Sequence, residues 1–235
     1  MMAANVQAQV WPPAGVKWYY ADDAVCIAHG KAEEIAPRLG RFDLLLADPP
    51  YEISTLGGGI GGRRAYLKGI KGFTDCGFDM DILDRFENWM CFCGITQLRR
   101  LLDKAACRRW MLVTWNKPNP TPLTNGNYLP DTEYIVHSFP RGGLHGEYAE
   151  KARYIVCPAR QNLLHPNEKP EVVIKKMITL GSLVGETILD PFAGSCTTGR
   201  AAKDLGRRCV MIEREERYCE IGANRMRQEV LDLHV

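Results

Sequence analysis

Asp48-Pro49-Pro50-Tyr51 is a stretch whose residue types point to chemistry before any fold is assumed. It closes the apolar run Phe42–Ala47, which is long enough for a buried parallel strand. Each proline fixes its own φ and removes a backbone N–H. The corner they form therefore offers acceptors: the Asp48 carboxylate, the Pro49 carbonyl and the ring face of Tyr51. It suits a planar group that donates two hydrogens from one nitrogen, an exocyclic amine on an aromatic ring. The same four residues also read as a strand-ending turn capped by Asp.

A second stretch carries different chemistry. Thr187–Asp190 reads as a strand, Pro191-Phe192-Ala193-Gly194-Ser195 as a tight turn, and about Cys196 to Leu205 as a helix. The strand Cys209–Ile212 comes next and ends in Glu213. Small residues at Ala193, Gly194 and Ser195 let a ligand approach the backbone and the helix N-terminus. Glu213 lies 19 residues after Gly194, close to the offset of about 20 at which an acid holds a ribose diol. Upstream, His165-Pro166-Asn167-Glu168-Lys169-Pro170 leads into a helix from about Glu171 to Leu180.

The elements that must hold these residues alternate strand and helix. Val25–Ala28 reads as a strand, Ala32–Leu39 as a helix closed by Gly40, and Phe42–Asp48 as the next strand, a rhythm that predicts a parallel sheet with helices on its faces. The apolar spacing of Phe86, Trp89, Met90, Cys93, Ile95, Leu98, Leu101 and Leu102 predicts one long helix from Ile82 to Ala106. Trp110–Trp115 and Glu133–Val136 read as strands, residues 138–164 as irregular, and Glu216 to Leu231 as a closing helix. Residues 1–17 read as a loose arm, and 18–235 as a single domain.

Residues 53–72 hold seven glycines, Arg63, Arg64, Lys68 and Lys71, and no acid. Gly57 to Gly62 satisfy a G-x-G-x-x-G pattern, but the residues after them open no helix, so a dinucleotide fingerprint is rejected. A cationic loop over 53–80, beside the acceptor corner, points to phosphate contact, and a solvated linker is the bland alternative.

At 235 residues, 46% hydrophobic and 25% charged, the chain has the composition of one large globular domain. A net charge of +2 excludes a global polyanion signature, so any nucleic-acid contact must be local. Nine cysteines show no C-x-x-C pair; Cys91 and Cys93, within the expected helix, point to different sides. Neither disulfides nor a metal site is expected, but reduced thiols in a cytoplasmic protein. No apolar run approaches the ~18 residues of a membrane span.

Taken in order, the landmarks resemble the DNA amino-methyltransferases of the D-P-P-Y type with class β motif order. They are Asp48–Tyr51, Trp115–Pro120, Glu133–Ile135, His165–Pro170, Asp190–Ser195 and Ile212-Glu213, with Tyr218 on the last helix. The resemblance spans about residues 24 to 230. It implies a Rossmann-like α/β sheet with helices on both faces, a circularly permuted motif order and S-adenosylmethionine as cofactor. Asp190, Phe192, Ala193, Gly194 and Ser195 would surround the methionine moiety, and Glu213 would hold the ribose hydroxyls. His165, Lys169 and Pro170 would line the neighbouring wall, with Lys169 facing the methionine carboxylate. Relatives commonly carry Gly-Asp after the first strand; this chain has Gly30-Lys31, so no residue is assigned to the cofactor adenine there.

The implied reaction is methyl transfer to the N6 amine of a flipped adenine in double-stranded DNA. Asp48 and the Pro49 carbonyl would take the two amine hydrogens, with Pro50 rigidifying the corner and Tyr51 stacking on the base. Arg63, Arg64, Lys68, Lys71, Lys117 and Arg141 would grip DNA, with 138–164 as a short target-recognition segment. A cytosine-N4 enzyme, an RNA methyltransferase and a non-catalytic nucleic-acid-binding protein of the same fold stay open, as does a homodimer.

Overall fold

The structure, a computed structural model, describes residues 11–51, 77–120, 128–159 and 168–228. Its strands are β1 (Tyr20–Ala21), β2 (Val25–His29), β3 (Leu44–Ala47), β4 (Trp89–Cys93) and β5 (Trp110–Asn116). They continue with β6 (Thr132–Ser138), β7 (Tyr154–Val156), β8 (Thr187–Asp190) and β9 (Arg208–Glu213). All pair into one sheet in the order β1-β2-β9-β8-β3-β4-β6-β5-β7. From β2 to β4 the neighbours are parallel, and β6 is reversed between β4 and β5. The sheet is the α/β arrangement expected from the strand–helix rhythm.

The strands read as near-continuous apolar runs because both faces are covered. Leu44, Leu45, Leu46 and Ala47 are at most 1% exposed, and each fully buried leucine contributes about 1.5–3 kcal/mol. One face carries α3 (Glu171–Gly181), α4 (Thr197–Asp204) and α5 (Glu216–Arg227), through residues such as Ile174, Met177, Ala201 and Ala223. The other carries α1 (Ala32–Ile35) and α2 (Ile95–Ala105), with Ile35, Leu101 and Ala105 inward. Pro170 stands at the N-cap of α3, where its preset φ suits entry into a helix.

The expected helix from Ile82 to Ala106 is corrected. Met80–Arg85 is a short 3-10 helix, Trp89–Cys93 is the interior strand β4, and only Ile95–Ala105 is α-helical. Five consecutive buried residues in β4 present no alternation, so the periodicity of the real helix bled backward across Gly94. Cys91 and Cys93, two apart on a strand, consequently share one face of the core instead of diverging. The irregular reading of 138–164 is corrected in part: Ala149–Lys151 forms a 3-10 turn and Tyr154–Val156 adds β7 beside β5. Three residues at a sheet edge carry too little pattern to announce a strand.

Within the arm, Trp11 Nε1 donates to the Asp22 carbonyl at 2.7 Å, and the Arg208 guanidinium lies 5.3 Å from the centroid of the Trp11 ring. Trp11 and Val16 pack onto the α1–α2 face. Among the described residues, no helix is long and apolar enough to cross a membrane.

Candidate active site

The parallel strands β2, β9, β8 and β3 end on one side of the sheet, and their tips line a cleft of about 390 Å³. Clefts of open α/β sheets form where the strand order switches direction. Here the switch falls between β8 and β3: the chain runs from β3 to β4 one way and from β8 to β9 the other. Asp190 and Asp48 stand at these adjoining tips, and Glu213 closes β9. Two stretches about 140 residues apart in sequence thus share one cleft.

At the β8 tip, Asp190 Oδ1 accepts the Phe192 N–H at 3.0 Å, which closes the turn. Gly194 has φ +50 and Cys196 φ +61, both in the left-handed region, where glycine is at ease and a cysteine needs support. Glu213 spans the turn, Oε2 accepting the Gly194 N–H at 2.7 Å and Oε1 the Glu215 N–H at 2.7 Å. Each oxygen keeps a lone pair beyond those bonds, so the carboxylate retains acceptor capacity for a diol. Burial raises the Glu213 carboxyl despite those two donors. Burial also lifts Asp190 to about 7, with the Asp48 and Glu213 charges adding to the rise.

Arg225, on α5, binds both walls of this end. Its Nη1 donates to the Ser195 carbonyl at 2.9 Å and to Thr197 Oγ1 at 3.0 Å, and its Nη2 to Glu168 Oε1 at 2.7 Å. The Ser195 turn and the Glu168–Pro170 segment are therefore fixed relative to one another.

At the β3 tip, Asp48 is held by two partners: Oδ2 accepts from Lys169 Nζ at 2.6 Å and Oδ1 lies 3.2 Å from the Tyr51 hydroxyl. That hydroxyl also lies 2.9 Å from Glu133 Oε2, so its single proton is shared between two carboxylates. Glu133 pairs in turn with Lys117, and Lys169 Nζ lies 3.6 Å from Glu133 Oε2. Two carboxylates and two ammoniums balance one another in a nearly dry cluster; the Lys169 side chain is 6% exposed and that of Asp48 24%. Lys169 also sits 5.0 Å from the Tyr51 ring centroid and 5.5 Å from that of Phe92, within cation–π range. Burial raises the Asp48 carboxyl and the Lys169 charge opposes that rise. Burial works against the charges of Lys169 and Glu133 too, but their partners prevail. The two carboxylates hold the Lys169 ammonium above its ordinary value, and the two lysines keep Glu133 low. Behind the corner, Gln97 of α2 is fully buried and its Nε2 donates to the Pro50 carbonyl at 3.0 Å.

The structure thus gathers Asp48, Pro49, Pro50, Tyr51, Lys169, Asp190, Phe192, Ala193, Gly194, Ser195 and Glu213 around one cleft. Pro170 is buried next to it. Lys117 faces Glu133 and the Trp115 ring rather than open surface, with 15% of its side chain exposed. Arg141 is exposed in the turn after β6. His165, Arg63, Arg64, Lys68 and Lys71 lie outside the described residues. Sequence reasoning missed Glu133 and Gln97 as parts of the site; Glu133 stood among the landmarks without a role, and no local signal marked Gln97.

An open α/β sheet with a glycine turn and a diol-ready acid at its switch point is the arrangement of a nucleoside-binding fold. Similarity to known proteins narrows this class. The family model for DNA methylases of the N6/N4 methyltransferase kind matches residues 144–224. The chain is 26% identical over 229 residues to the Type II methyltransferase M.HinfI of Haemophilus influenzae, covering 80% of this chain and 63%, under two thirds, of that one. It is 25% identical over 264 residues to the Type II methyltransferase M2.DpnII of Streptococcus pneumoniae, covering 91% and 93%. Among solved structures, the cytosine-N4-specific PvuII DNA methyltransferase shares the fold with TM-score 0.67 at 15% identity, covering 94% and 91% of the two chains. The M1.HpyAVI complex with S-adenosylmethionine does so with TM-score 0.62 at 21% identity, covering 86% and 99%. By these matches the chain is similar to DNA methyltransferases of the N6/N4 kind.

Proposed function

We propose that this protein methylates the N6 amine of an adenine flipped out of double-stranded DNA. The observation that carries this reading is the shared cleft: an acceptor corner at the tip of β3 faces a cofactor-shaped turn at the tip of the adjoining β8. Among the carboxylates that line that cleft, Asp48, Asp190 and Glu213 stand at the strand tips, where they offer acceptors to a cationic ligand. When bound, S-adenosylmethionine supplies an electrophilic methyl group on a sulfonium.

The exocyclic amine is a weak nucleophile because its lone pair is delocalised into the ring, so the chain's task is alignment and polarisation. Asp48 accepts one amine hydrogen and the Pro49 carbonyl the other, which draws the nitrogen toward a tetrahedral shape. Methyl transfer would leave the nitrogen with one hydrogen too many, which Asp48 would accept as a proton and pass to solvent. Tyr51 stacks on the base with the ring face opposite Lys169. Glu213 would hold the ribose hydroxyls, and Asp190, Phe192, Ala193, Gly194, Ser195, Pro170 and His165 would surround the remainder of the cofactor. Flipping costs roughly a few kcal/mol, offset by phosphate contacts from Arg63, Arg64, Lys68, Lys71 and Arg141.

Residues 53–80 serve as the DNA-contacting loop and 138–164 as the target-recognition segment, in a monomer or a homodimer. A cytosine-N4 target is the second reading, favoured by the likeness to the PvuII enzyme. Asp48→Ala is expected to bind S-adenosylmethionine and to lose DNA methylation by about 10³-fold or more. Near wild-type methylation by that variant sinks the assignment, and nucleoside analysis of DNA modified by the wild type identifies the base.

A further inference from the structure

The Asp48 carboxylate does not stand free in the cleft. Lys169 reaches it across 121 residues of sequence, at 2.6 Å, from the segment that leads into α3. That segment is itself anchored, because Glu168 is bound by Arg225 and Pro170 starts the helix. The ammonium is enclosed by two carboxylates and two aromatic rings, those of Asp48, Glu133, Tyr51 and Phe92. Moving it to a carboxylate elsewhere would strip the mostly buried Asp48 of the cation in contact with it, an unfavourable exchange.

From this geometry we infer that Lys169, backed by Glu133, is a positioning residue for methyl transfer: it holds Asp48 ionised and turned toward the amine instead of holding the cofactor's carboxylate. The inference rests on the reading of Asp48 as the amine acceptor. Its logic is electrostatic. A carboxylic acid at Asp48 would keep one weaker acceptor and present a donor toward an amine that must itself donate, so Asp48 accepts best when ionised. Closing the cleft around base and cofactor removes water and raises the cost of that charge. Lys169 is the cation in contact with it. The ammonium faces the Asp48 and Glu133 carboxylates, and the Tyr51 hydroxyl lies between the same two, on the Asp48 oxygen that Lys169 does not take. Asp48 is thereby left with lone pairs for a hydrogen that arrives from the cleft.

The groups that face Asp48 are Lys169 from the start of α3, Glu133 from β6, Tyr51 beyond the corner, Cys91 from β4 and Asp190 from β8. Lys169 and Tyr51 stabilise its charge, whereas Glu133 and Asp190 oppose it. Removing Lys169 and removing Glu133 should therefore move its ionisation in opposite directions, which a merely structural role would not do.

The test compares Lys169→Gln, Lys169→Arg and Glu133→Gln with the wild type. Lys169→Gln is expected to bind S-adenosylmethionine within about threefold of wild type by calorimetry. Its single-turnover methylation of duplex DNA should fall about tenfold or more near neutral pH, with the acid limb of the pH–rate profile displaced upward by about one pH unit. Lys169→Arg restores part of the rate and the profile, and Glu133→Gln displaces the acid limb downward. A loss of cofactor affinity of about tenfold or more in Lys169→Gln, or an acid limb that moves in neither variant, overturns the inference. If Lys169→Gln does not fold, the direction of the Glu133→Gln displacement decides alone. Failure of the wider reading looks different, since Asp48→Ala would then still methylate DNA.

Discussion

Asp190 is the residue whose ionisation is most open to test. Its carboxyl rises from 3.8 to about 7 because it is buried, with Asp48 and Glu213 adding like charge. The folded protein therefore binds a proton there that the unfolded chain has lost. The stabilising effect is complete below the unfolded value and disappears as pH rises through about 7, at about 1.4 kcal/mol for each pH unit between the two values. Asp190→Asn should flatten the fall in stability between about pH 4 and pH 7, a difference of a few kcal/mol readable in denaturant midpoints. A cationic cofactor lowers the same carboxyl, so binding near neutral pH should release a proton. Calorimetric heats measured in two buffers of unlike ionisation enthalpy should differ, and identical heats would rule that release out. At this scale the site was partly legible. Asp48, Asp190 and Glu213 announced themselves because each ends an apolar run, and the two aspartates are followed at once by proline. Glu133 and Gln97 did not, because they reach the corner from 82 and 47 residues away and no local pattern encodes such contacts.

At the scale of elements, close approach governs how the cofactor turn is held. Cys196 caps α4 with φ +61 and is fully buried, and α5 crosses it at Gly222. A Cβ at Gly222 would lie 2.3 Å from Cys196 Sγ and 2.9 Å from its Cβ. Replacing a helical glycine with alanine gains about 1 kcal/mol in propensity, but overpacking costs about 1–3 kcal/mol, and here a strained neighbour cannot retreat. Gly222→Ala should lower stability by up to about 2 kcal/mol in equilibrium unfolding and weaken cofactor binding, since displacement of Cys196 disturbs the Gly194–Ser195 turn. An unchanged or raised midpoint would show that the helices separate freely. The same scale explains what sequence periodicity misread. The β8–α4–β9 unit was legible nearly to the residue, since turns and small residues bracket each piece. β4 was not, because a strand buried on both faces has no polar alternation and lies one glycine away from a strongly amphipathic helix.

For the whole molecule, the cleft draws on the tips of β2, β3, β8 and β9, while among the described residues the β5–β7 edge contributes nothing to its lining. A ligand that bridges those tips should stabilise the sheet unevenly. At about a hundredfold its Kd, S-adenosylmethionine adds about 2.7 kcal/mol to the folded state. Amide exchange should slow in β2, β8 and β9 together and change little in β7; protection confined to the Gly194 turn would contradict this. The parallel centre of the sheet was legible from its apolar runs. Its order was not, since nothing local tells β9 to enter between β2 and β8.

That placement of β9 also sets a sequence of events during synthesis. β2 emerges from the ribosome about 180 residues before the strand that becomes its parallel neighbour. Until β9 arrives, the Asp48 corner can exist while the carboxylate that spans the Gly194 turn does not, so a nascent chain acquires the β3 tip first and the Glu213-braced turn last.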